Sequence, residues 1–373
     1  MKIFFITPYI TLISSFLLAT IISYLSVRPI VDLSMAKGLV DKPGERASHK
    51  KPTATLGGIA IFAGFMLAAM IFSPYGSILE LRFITAGVLL MFFIGVKDDL
   101  FIISPFNKLA AQIVAAIILI DFAGIRLTSL HGFLGVTELN YHVSLYLTIF
   151  VIIVIINAFN LIDGIDGLAA GVGILVSITF GVWFYLTKQY PFAILTAALA
   201  GALIGFLRYN VWGRHNKIFM GDTGSLILGF IIAVFVIQFN QSNLKISGDL
   251  FYIKASPAVS FAILIIPLYD TMRVFIARIC RKQSPFKADR GHMHHKLLEL
   301  GFSHAKSSLI LVIINLVFII LAYFLQKIGI LYLMLVILSL ATILSFIPIY
   351  LLKKQGKTQN LCGKEKMKKG VIA

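Results

Sequence analysis

The sequence is poor in charged residues and in cysteine. Only 13% of its 373 residues are Asp, Glu, Lys or Arg, and 59% are hydrophobic. Soluble domains carry about 25% charged residues, so this composition excludes an ordinary soluble domain. Its two cysteines, Cys280 and Cys362, lie far apart, each near basic residues. They therefore exclude a disulfide framework and a cysteine-based metal site.

Acidic residues are particularly scarce. The chain has 16 Asp and Glu against 33 Lys and Arg, which gives a net charge of +17. Such an excess can indicate nucleic-acid binding, but in a chain this apolar it more often reports membrane topology and attraction to anionic lipid or substrate. No nucleic-acid partner is expected.

Long apolar runs dominate the rest of the sequence. They are about 20 residues long, the length of a membrane-spanning helix, whereas barrel strands have about 10 alternating residues. The prediction is an all-α polytopic integral membrane protein with about 10–11 transmembrane helices, the first of them retained. The predicted spans are 3–27, 56–73, 81–97, 108–124, 143–162, 167–187, 191–208, 223–239, 255–278, 307–326 and 329–352. The span 255–278 contains Pro267 and Asp270, which favour a broken helix.

The basic residues set the predicted orientation. Of the 33 Lys and Arg, 26 fall in alternate loops and the C-terminal tail, and seven lie on the opposite side. The positive-inside rule then places the N-terminus outside and the C-terminus in the cytoplasm. One polytopic domain is expected over 1–352, followed by a basic cytoplasmic tail over 353–373. Most of the acidic and histidine residues that form motifs fall at the cytoplasmic ends, so the chemistry is predicted there.

The segment NAFNLIDGIDGLAAG interrupts two apolar spans with four polar side chains. Asp163 and Asp166 are three positions apart and would share one face of a helix. Asn157 and Asn160 repeat that spacing upstream. Oxygen-bearing side chains among glycines suit Mg²⁺ or Mn²⁺ with phosphate completing the shell. The alternative is a polar hairpin with no ligand.

Two further acidic motifs lie at span ends. GVKDDL places Asp98 and Asp99 at a cytoplasmic end, where they indicate either an acid/base site or a simple acidic helix terminus. KIFMGDTGS opens another span, and its backbone N–H groups at a helix N-terminus could bind phosphate, with Asp222 as a ligand for a bridging Mg²⁺. Phe219 could offer an aromatic face to a base. A chance capping turn is the alternative.

Two basic segments are candidate anion sites. In SHKKPTATLGGIAIF, Lys50, Lys51 and the Gly57–Gly58 pair indicate either an anion site at a helix start or an ordinary basic loop. DRGHMHHKL brings three histidines, but no cysteine accompanies them, and adjacent histidines are poorly placed to share one zinc ion. The histidines therefore favour diphosphate binding or proton donation to a leaving phosphate. Its polar residues are Arg290, His292, His294, His295 and Lys296.

Together the motifs indicate phosphoryl transfer at a lipid-facing cleft. A divalent metal and several cations neutralise phosphate charge, which is what this reaction mostly requires. The expected substrates are a lipid phosphate and a soluble phosphate compound. Rival interpretations are an ion-coupled transporter or lipid flippase, which would have acids near the bilayer midplane and repeated halves, and a CDP-alcohol phosphotransferase, whose Arg after the DG motif is missing here.

Over residues 40–300 the motifs resemble those of the polyprenyl-phosphate N-acetylhexosamine-1-phosphate transferases, in order and on one membrane face. The resemblance implies that Asp222 and Asn160 hold Mg²⁺, with Mn²⁺ as an alternative. It also implies that Asp98 and Asp99 lie at the lipid phosphate, with Asp98 as the candidate base. It further implies that Asp163 and Asp166 line the nucleotide-sugar site, with Phe219 stacking on uracil and Asn210 nearby, and that Lys51 and the His294–His295 pair hold the diphosphate. The predicted catalytic residues are therefore Asp98, Asp99, Asp163, Asp166, His294 and His295, and the predicted substrate-binding residues are Lys51, Asn157, Asn210, Phe219, Arg290 and His292.

The histidine motif resembles the DRxHxHH form of the GlcNAc-1-phosphate branch. The muramoyl-pentapeptide branch instead has three consecutive histidines before an aromatic residue, and it remains the alternative within the family. The resemblance implies transfer of an N-acetylamino-sugar 1-phosphate from a UDP-amino sugar to undecaprenyl phosphate in a bacterial inner membrane. The exact amino sugar, the glycan pathway and the oligomeric state, a homodimer included, stay open.

Overall fold

The computed structural model describes residues 7–41, 52–73, 78–101, 103–282 and 291–355. These residues form helices almost throughout, with one pair of two-residue antiparallel strands, β1 Val40–Asp41 and β2 Thr53–Ala54. The helices are α1 Pro8–Lys37, α2 Gly57–Phe72, α3 Ile78–Leu100, α4 Pro105–Ile117, α5 Tyr141–Ile162, α6 Leu168–Leu186, α7 Tyr190–Trp212, α8 Gly221–Lys245, α9 Ser256–Ile263, α10 Ile265–Cys280, α11 Met293–Glu299, α12 His304–Leu325 and α13 Ile330–Lys354. A π-helical turn, Ile118–Phe122, extends α4.

The predicted all-α polytopic membrane fold is confirmed. Within the described residues, eight helices are long and apolar enough to cross a membrane, and α9 with α10 makes a ninth when the bent pair counts as one span. The two other predicted spans correspond to α2, which has 16 residues, and to α3, which has 23. Each of the eleven predicted spans therefore overlaps a helix or, for 255–278, a helix pair.

Helix α8 lies at the centre of the bundle. In its most apolar stretch 89% of the residues are buried, against 22% in α1 and in α13, whose outer faces suit contact with lipid. Small residues let its neighbours approach closely. A Cβ added to Gly229 would lie 2.6 Å from the Cα of Ile156 on α5, so only glycine fits there. The segment that opens α8 is consequently fixed by several helices at once.

The broken helix predicted over 255–278 is confirmed. α9 and α10 meet at an angle of 83°, with Leu264 between them. Pro267 explains the break, because proline has no N–H for the carbonyl four residues earlier, that of Ile263, and its ring clashes with that carbonyl.

A side chain of α12 satisfies the backbone groups that the bend frees. The buried Asn315 donates from Nδ2 to the Ile263 carbonyl at 2.9 Å, and its Oδ1 accepts from the Ile266 N–H at 3.2 Å. Backbone groups inside a membrane protein need such partners, since no water is at hand to take their place.

We expect Asn315→Leu to destabilise the protein by about 2–4 kcal/mol, because it leaves two buried backbone groups unsatisfied. Thermal unfolding in detergent would measure the loss. Thr342→Val is a matched control on α13, because Thr342 accepts a hydrogen bond from Tyr269 at 3.1 Å in a more accessible position. Equal losses in the two variants would contradict the role of Asn315 at the bend.

Candidate active site

The sequence motifs meet at one end of the helix bundle. α3 and α5 end there, at Leu100 and Ile162, and α8 begins there, at Gly221. Hydrogen bonds join residues more than 100 positions apart along the chain, such as Asp99 and Thr223. The site is therefore built from helix ends of distant segments, with the first turn of α8 at its centre.

A carboxylate from α3 caps the N-terminus of α8. Asp99 Oδ1 accepts from the Asp222 N–H at 2.8 Å, and Asp99 Oδ2 accepts from the Thr223 N–H at 3.1 Å and the Thr223 hydroxyl at 2.6 Å. These N–H groups have no partner within the helix, and an anion is favoured at this end of the helix dipole. The sequence predicted that backbone N–H groups of this motif, that of Thr223 among them, bind phosphate. The structure corrects this for Thr223, because the chain's own carboxylate accepts from its N–H.

Two glycines bring neighbouring helices against this capped turn. A Cβ added to Gly95 of α3 would lie 2.3 Å from the Cα of Thr223, and one added to Gly58 of α2 would lie 2.1 Å from the backbone N of Gly224. Both distances are far below any tolerated contact. Glycine at these two positions is therefore what allows Asp99 to reach the helix start.

The predicted anion site at the start of α2 is wrong for its backbone groups. The Gly57 N–H donates to the Phe219 carbonyl at 3.0 Å, and the Gly58 N–H donates to the Met220 carbonyl at 2.8 Å. These bonds tie α2 to the segment before α8 and leave neither N–H for an anion. Lys50 and Lys51, the other predicted members of that site, lie outside the described residues.

The two residues predicted to hold metal are in contact. Asn160 Nδ2 donates to Asp222 Oδ1 at 2.7 Å. The ammonium of Lys108, on the first turn of α4, forms ion pairs with both Asp222 and Asp98. Asp98 also accepts from the Ile103 N–H at 2.9 Å. Lys108, which the sequence analysis did not select, thus joins Asp98 to Asp222, and Asn160 contacts Asp222 in turn.

The donor set at this point suits a hard cation. Asp98, Asp222 and Asn160 offer carboxylate and amide oxygens, the ligands that Mg²⁺ takes in proteins. The Lys108 ammonium lies between the two carboxylates, where a positive charge is needed. Within the described residues, no three acidic, histidine or cysteine side chains are grouped as metal ligands. The fit to Mg²⁺ therefore rests on this oxygen set and on further ligands from substrate.

Asp163 stands next to these acids without a cation of its own. Among the described residues, no donor lies within hydrogen-bonding distance of its carboxylate. Burial raises the pKa of Asp163 well above its ordinary value, and the charges of Asp222, Asp99 and Asp166 raise it further. The ionised form of Asp163 is therefore disfavoured here, and a nearby cation would favour it.

Asp166 points to other partners, because residues 163–167 form turns and not a helix. The predicted common face for Asp163 and Asp166 is therefore wrong. Lys217 Nζ lies 2.7 Å from Asp166 Oδ2, and His304 Nδ1 lies 3.2 Å from the same oxygen. Burial alone would raise the pKa of Asp166, but the contacts with His304 and Lys217 hold it below its ordinary value. Asp166 is thus an ionised partner of Lys217 and a contact of His304.

Two predicted substrate-binding amides have partners within the protein. Asn210 is buried, accepts from the Gly167 N–H at 2.6 Å and donates to the Ile218 carbonyl at 2.9 Å. Asn157 Nδ2 donates to Gln112 Oε1 at 2.9 Å. These bonds support a role in holding the loops and helices around the site.

The histidine motif closes the site from the side of α11. His294 is buried, and a Cβ added to Gly164 would lie 2.5 Å from its Nε2, so the imidazole lies against the turn that carries Asp163. Burial and the neighbouring His295 lower the pKa of His294 to about 3. His294 is therefore neutral at neutral pH, and its predicted binding of an anion would rest on a hydrogen bond and not on charge. Arg290 lies outside the described residues.

Phe219 lies beside a cation at the edge of the site. Lys217 Nζ is 5.5 Å from the centre of its half-buried ring. A lysine next to an aromatic face suits a ligand that combines a base with phosphate. Stacking of Phe219 on uracil stays a prediction.

Sequence reasoning missed Lys108, Lys217 and His304. Each lies near a motif end: Lys108 follows the Ser104–Pro105 helix start, Lys217 precedes the GDTGS motif, and His304 begins α12. A search for cations within the same predicted loops as the acids would have found all three.

A site of carboxylates paired with lysines, at the ends of helices long and apolar enough to cross a membrane, suits a membrane-embedded transferase of phosphate groups. Residues 81–240 match the model of Glycosyl transferase family 4. The chain is 32% identical over 301 residues to the undecaprenyl-phosphate alpha-N-acetylglucosaminyl 1-phosphate transferase of Salmonella typhi, covering 80% of this chain and 78% of the relative.

Two further relatives are equally similar. The chain is 32% identical over 317 residues to the decaprenyl-phosphate N-acetylglucosaminephosphotransferase of Mycobacterium tuberculosis strain H37Rv, covering 79% of this chain and 78% of the relative. It is 32% identical over 295 residues to the undecaprenyl-phosphate alpha-N-acetylglucosaminyl 1-phosphate transferase of Escherichia coli K12, covering 78% and 77%. The chain belongs to glycosyl transferase family 4, as its motifs predict.

We expect Asp99→Asn to lower stability by about 1–3 kcal/mol, because an amide NH₂ would face the N–H donors of α8. Hydrogen exchange in the first turn of α8 and thermal unfolding would measure the change. Thr223→Val is the matched control, since it removes only the hydroxyl bond of the three that Asp99 accepts. A loss in Asp99→Asn no larger than that in Thr223→Val would show that the cap does not fix α8.

Proposed function

We propose that the protein transfers N-acetylglucosamine 1-phosphate from UDP-GlcNAc to undecaprenyl phosphate or a similar polyprenyl phosphate and releases UMP. The names of its relatives support the sugar phosphate and the lipid acceptor. The observation that carries the proposal is Lys108 held between Asp98 and Asp222 at adjoining helix ends. This combination of cationic charge and hard oxygen ligands at helix ends supports a site that a lipid phosphate would reach from the membrane.

The reaction is a direct displacement at phosphorus. An oxygen of the lipid phosphate attacks the β-phosphorus of the UDP-sugar, which carries the sugar. The bond from that phosphorus to the bridging oxygen breaks, and the oxygen leaves on UMP. The second pKa of a phosphate monoester is about 6, so the attacking group is mostly ionised at pH 7. The ion pair of Asp98 with Lys108 supports positioning of a cation at this phosphate, and Asp98 stays the candidate base.

Asp222 and Asn160 would hold Mg²⁺, with Mn²⁺ as the alternative, and Asp98 lies close enough to Lys108 to share in that site. When bound, the metal supplies charge neutralisation for phosphate oxygens. Asp99 keeps Asp222 at the helix start, and Lys108 balances the two carboxylates beside it.

The nucleotide would lie on the side of Asp163, Lys217 and Phe219. Lys217 lies next to the Phe219 ring, so a base on that ring would place its phosphates near the ammonium. His294 can donate one hydrogen bond to the diphosphate as a neutral imidazole. Lys51 and Arg290 remain predicted diphosphate ligands outside the described residues.

The active site would face the cytoplasm of a bacterial cell from its inner membrane. The concentration of Lys and Arg in alternate loops and the tail supports this orientation. Named relatives from Salmonella, Mycobacterium and Escherichia support a bacterial setting.

Purified protein would be incubated with undecaprenyl phosphate, Mg²⁺ and separate UDP-amino sugars, UDP-GlcNAc, UDP-GalNAc and UDP-MurNAc-pentapeptide among them. UMP release and the mass of the polyprenyl-diphosphate product identify the reaction. We expect product with UDP-GlcNAc only when lipid and metal are both present, and at least a ~100-fold loss in Asp222→Asn, as charged groups that stabilise a transition state contribute on this scale.

The matched control is Asp249→Asn, an exposed carboxylate in the turn after α8 at the opposite end of that helix. It should keep wild-type activity. Product from the muramoyl substrate alone would assign the other branch of the family. Undiminished activity in excess chelator would overturn the metal site, and undiminished activity in Asp222→Asn would overturn the role of that residue.

A further inference from the structure

A buried carboxylate outside the acidic motifs holds the histidine segment in place. Asp270 lies on α10, a few residues beyond the bend, and is 4% exposed. Its Oδ1 accepts from Arg273 Nη2 at 2.8 Å and from the Met293 N–H at 3.0 Å. Its Oδ2 lies 2.9 Å from His292 Nδ1. Asp270 thus contacts two residues at the start of the histidine motif.

Arg273 makes a second contact between α10 and the histidine segment. The same Nη2 that binds Asp270 also donates to the Gly291 carbonyl at 2.5 Å. The residues Gly291, His292 and Met293 are therefore all bound to α10 by the ion pair of Asp270 with Arg273. A buried charge needs this degree of pairing to be tolerated at all, so the arrangement cannot be a loose surface contact.

The bonds to Asp270 determine the chemistry of His292. An ionised carboxylate that already accepts from Arg273 and Met293 can only accept from His292, so Nδ1 of that imidazole carries a hydrogen. The other ring nitrogen, Nε2, can accept a hydrogen bond when the imidazole is neutral and can donate one when the imidazole is protonated. A carboxylate that orients an imidazole in this way also fixes its tautomer.

The ring of His292 in turn supports His294. The two rings are stacked with centroids 5.6 Å apart and planes 11° from parallel. His294 lies against Gly164, next to Asp163. A continuous series of contacts therefore runs from Asp270 through two imidazoles to the turn at the centre of the candidate active site.

We propose that Asp270 is a positioning residue for the transfer reaction, which fixes the His292 tautomer and holds His294 against the Asp163 turn. The inference rests on the proposed function for its kinetic consequence but not for the hydrogen bond itself. Asp270 touches neither the attacking nor the leaving oxygen in this arrangement. The histidines that it positions would bind the diphosphate more strongly as negative charge develops on the leaving UMP. Removal of Asp270 should therefore slow the chemical step more than it weakens substrate binding.

The test uses full-length protein in detergent with both substrates at varied concentration. In Asp270→Asn the amide NH₂ or oxygen must face His292 Nδ1 without the charge, so the tautomer is no longer imposed. We expect kcat to fall about 10–100-fold, the scale seen for partners that orient a functional histidine, while KM for each substrate changes less than about 3-fold. Asp270→Glu should recover part of the lost kcat.

A double variant separates positioning from general damage. If Asp270 acts through His292, Asp270→Asn combined with His292→Ala should be no slower than His292→Ala alone, within about 2-fold. Tyr269→Phe is the control for perturbing α10, because it removes a buried hydroxyl bonded to Thr342 and Ser345, and it should keep most of the activity. Multiplied losses in the double variant, or a rise in KM with unchanged kcat, would overturn the proposal.

Nitrogen NMR of protein labelled with ¹⁵N-histidine tests the same bond without enzyme turnover. The His292 signals are assigned by comparison with His292→Ala, and we expect Nδ1 to be protonated at neutral pH in the wild type. An unprotonated Nδ1 would overturn the proposal even if Asp270→Asn fails to fold. Absence of product from the wild type with every UDP-sugar would instead refute the proposed function and leave the NMR result to decide the hydrogen bond.

Discussion

The carboxylate of Asp99 at the N-terminus of α8 is the interaction on which the rest of the site depends. It satisfies two backbone N–H groups that a helix start leaves without partners, and it does so from a different helix. Since Asp222 is one of the residues so held, the direction of its side chain toward Asn160 and Lys108 follows from the cap. The glycines at positions 58 and 95 are the steric condition for this contact. The contacts that pack α2 and α3 against the start of α8 are therefore also the contacts that position Asp222.

The acids of the site differ in how their charge is balanced. Asp98 and Asp222 share Lys108, Asp166 has Lys217 and His304, and Asp163 has no cation among the described residues. The paired acids hold lysines in place, which supports the proposed binding of anionic substrates. Asp163, which has no such partner among the described residues, supports the proposed metal site, because a cation would favour its ionised form. The family membership and this division of charge lead to the same reaction class.

The sequence was enough to predict most of the helices, but it predicted fewer of the contacts within the site. Apolar run lengths predicted the helices, Pro267 predicted the broken one, and motif positions predicted that Asp98, Asn160 and Asp222 share one end of the bundle. The errors concern hydrogen-bond partners. Spacing along a helix reports which residues share a face, but the partner of Asp99 lies more than 100 positions away and depends on how helices pack. For the same reason the N–H groups of Gly57 and Gly58 were predicted to be available to an anion, and spacing alone did not show that residues 163–167 form turns.

The amide of Asn315 has a consequence beyond the local repair of a broken helix. Because it binds backbone groups on both sides of the bend, α10 cannot swing relative to α9 without breaking two buried bonds to α12. The bend of 83° between α9 and α10 is therefore rigid and does not act as a hinge. α12 also begins at His304, which contacts Asp166. Helix α12 therefore contacts both the turn that carries Asp166 and the bend between α9 and α10, and its length sets the distance between them.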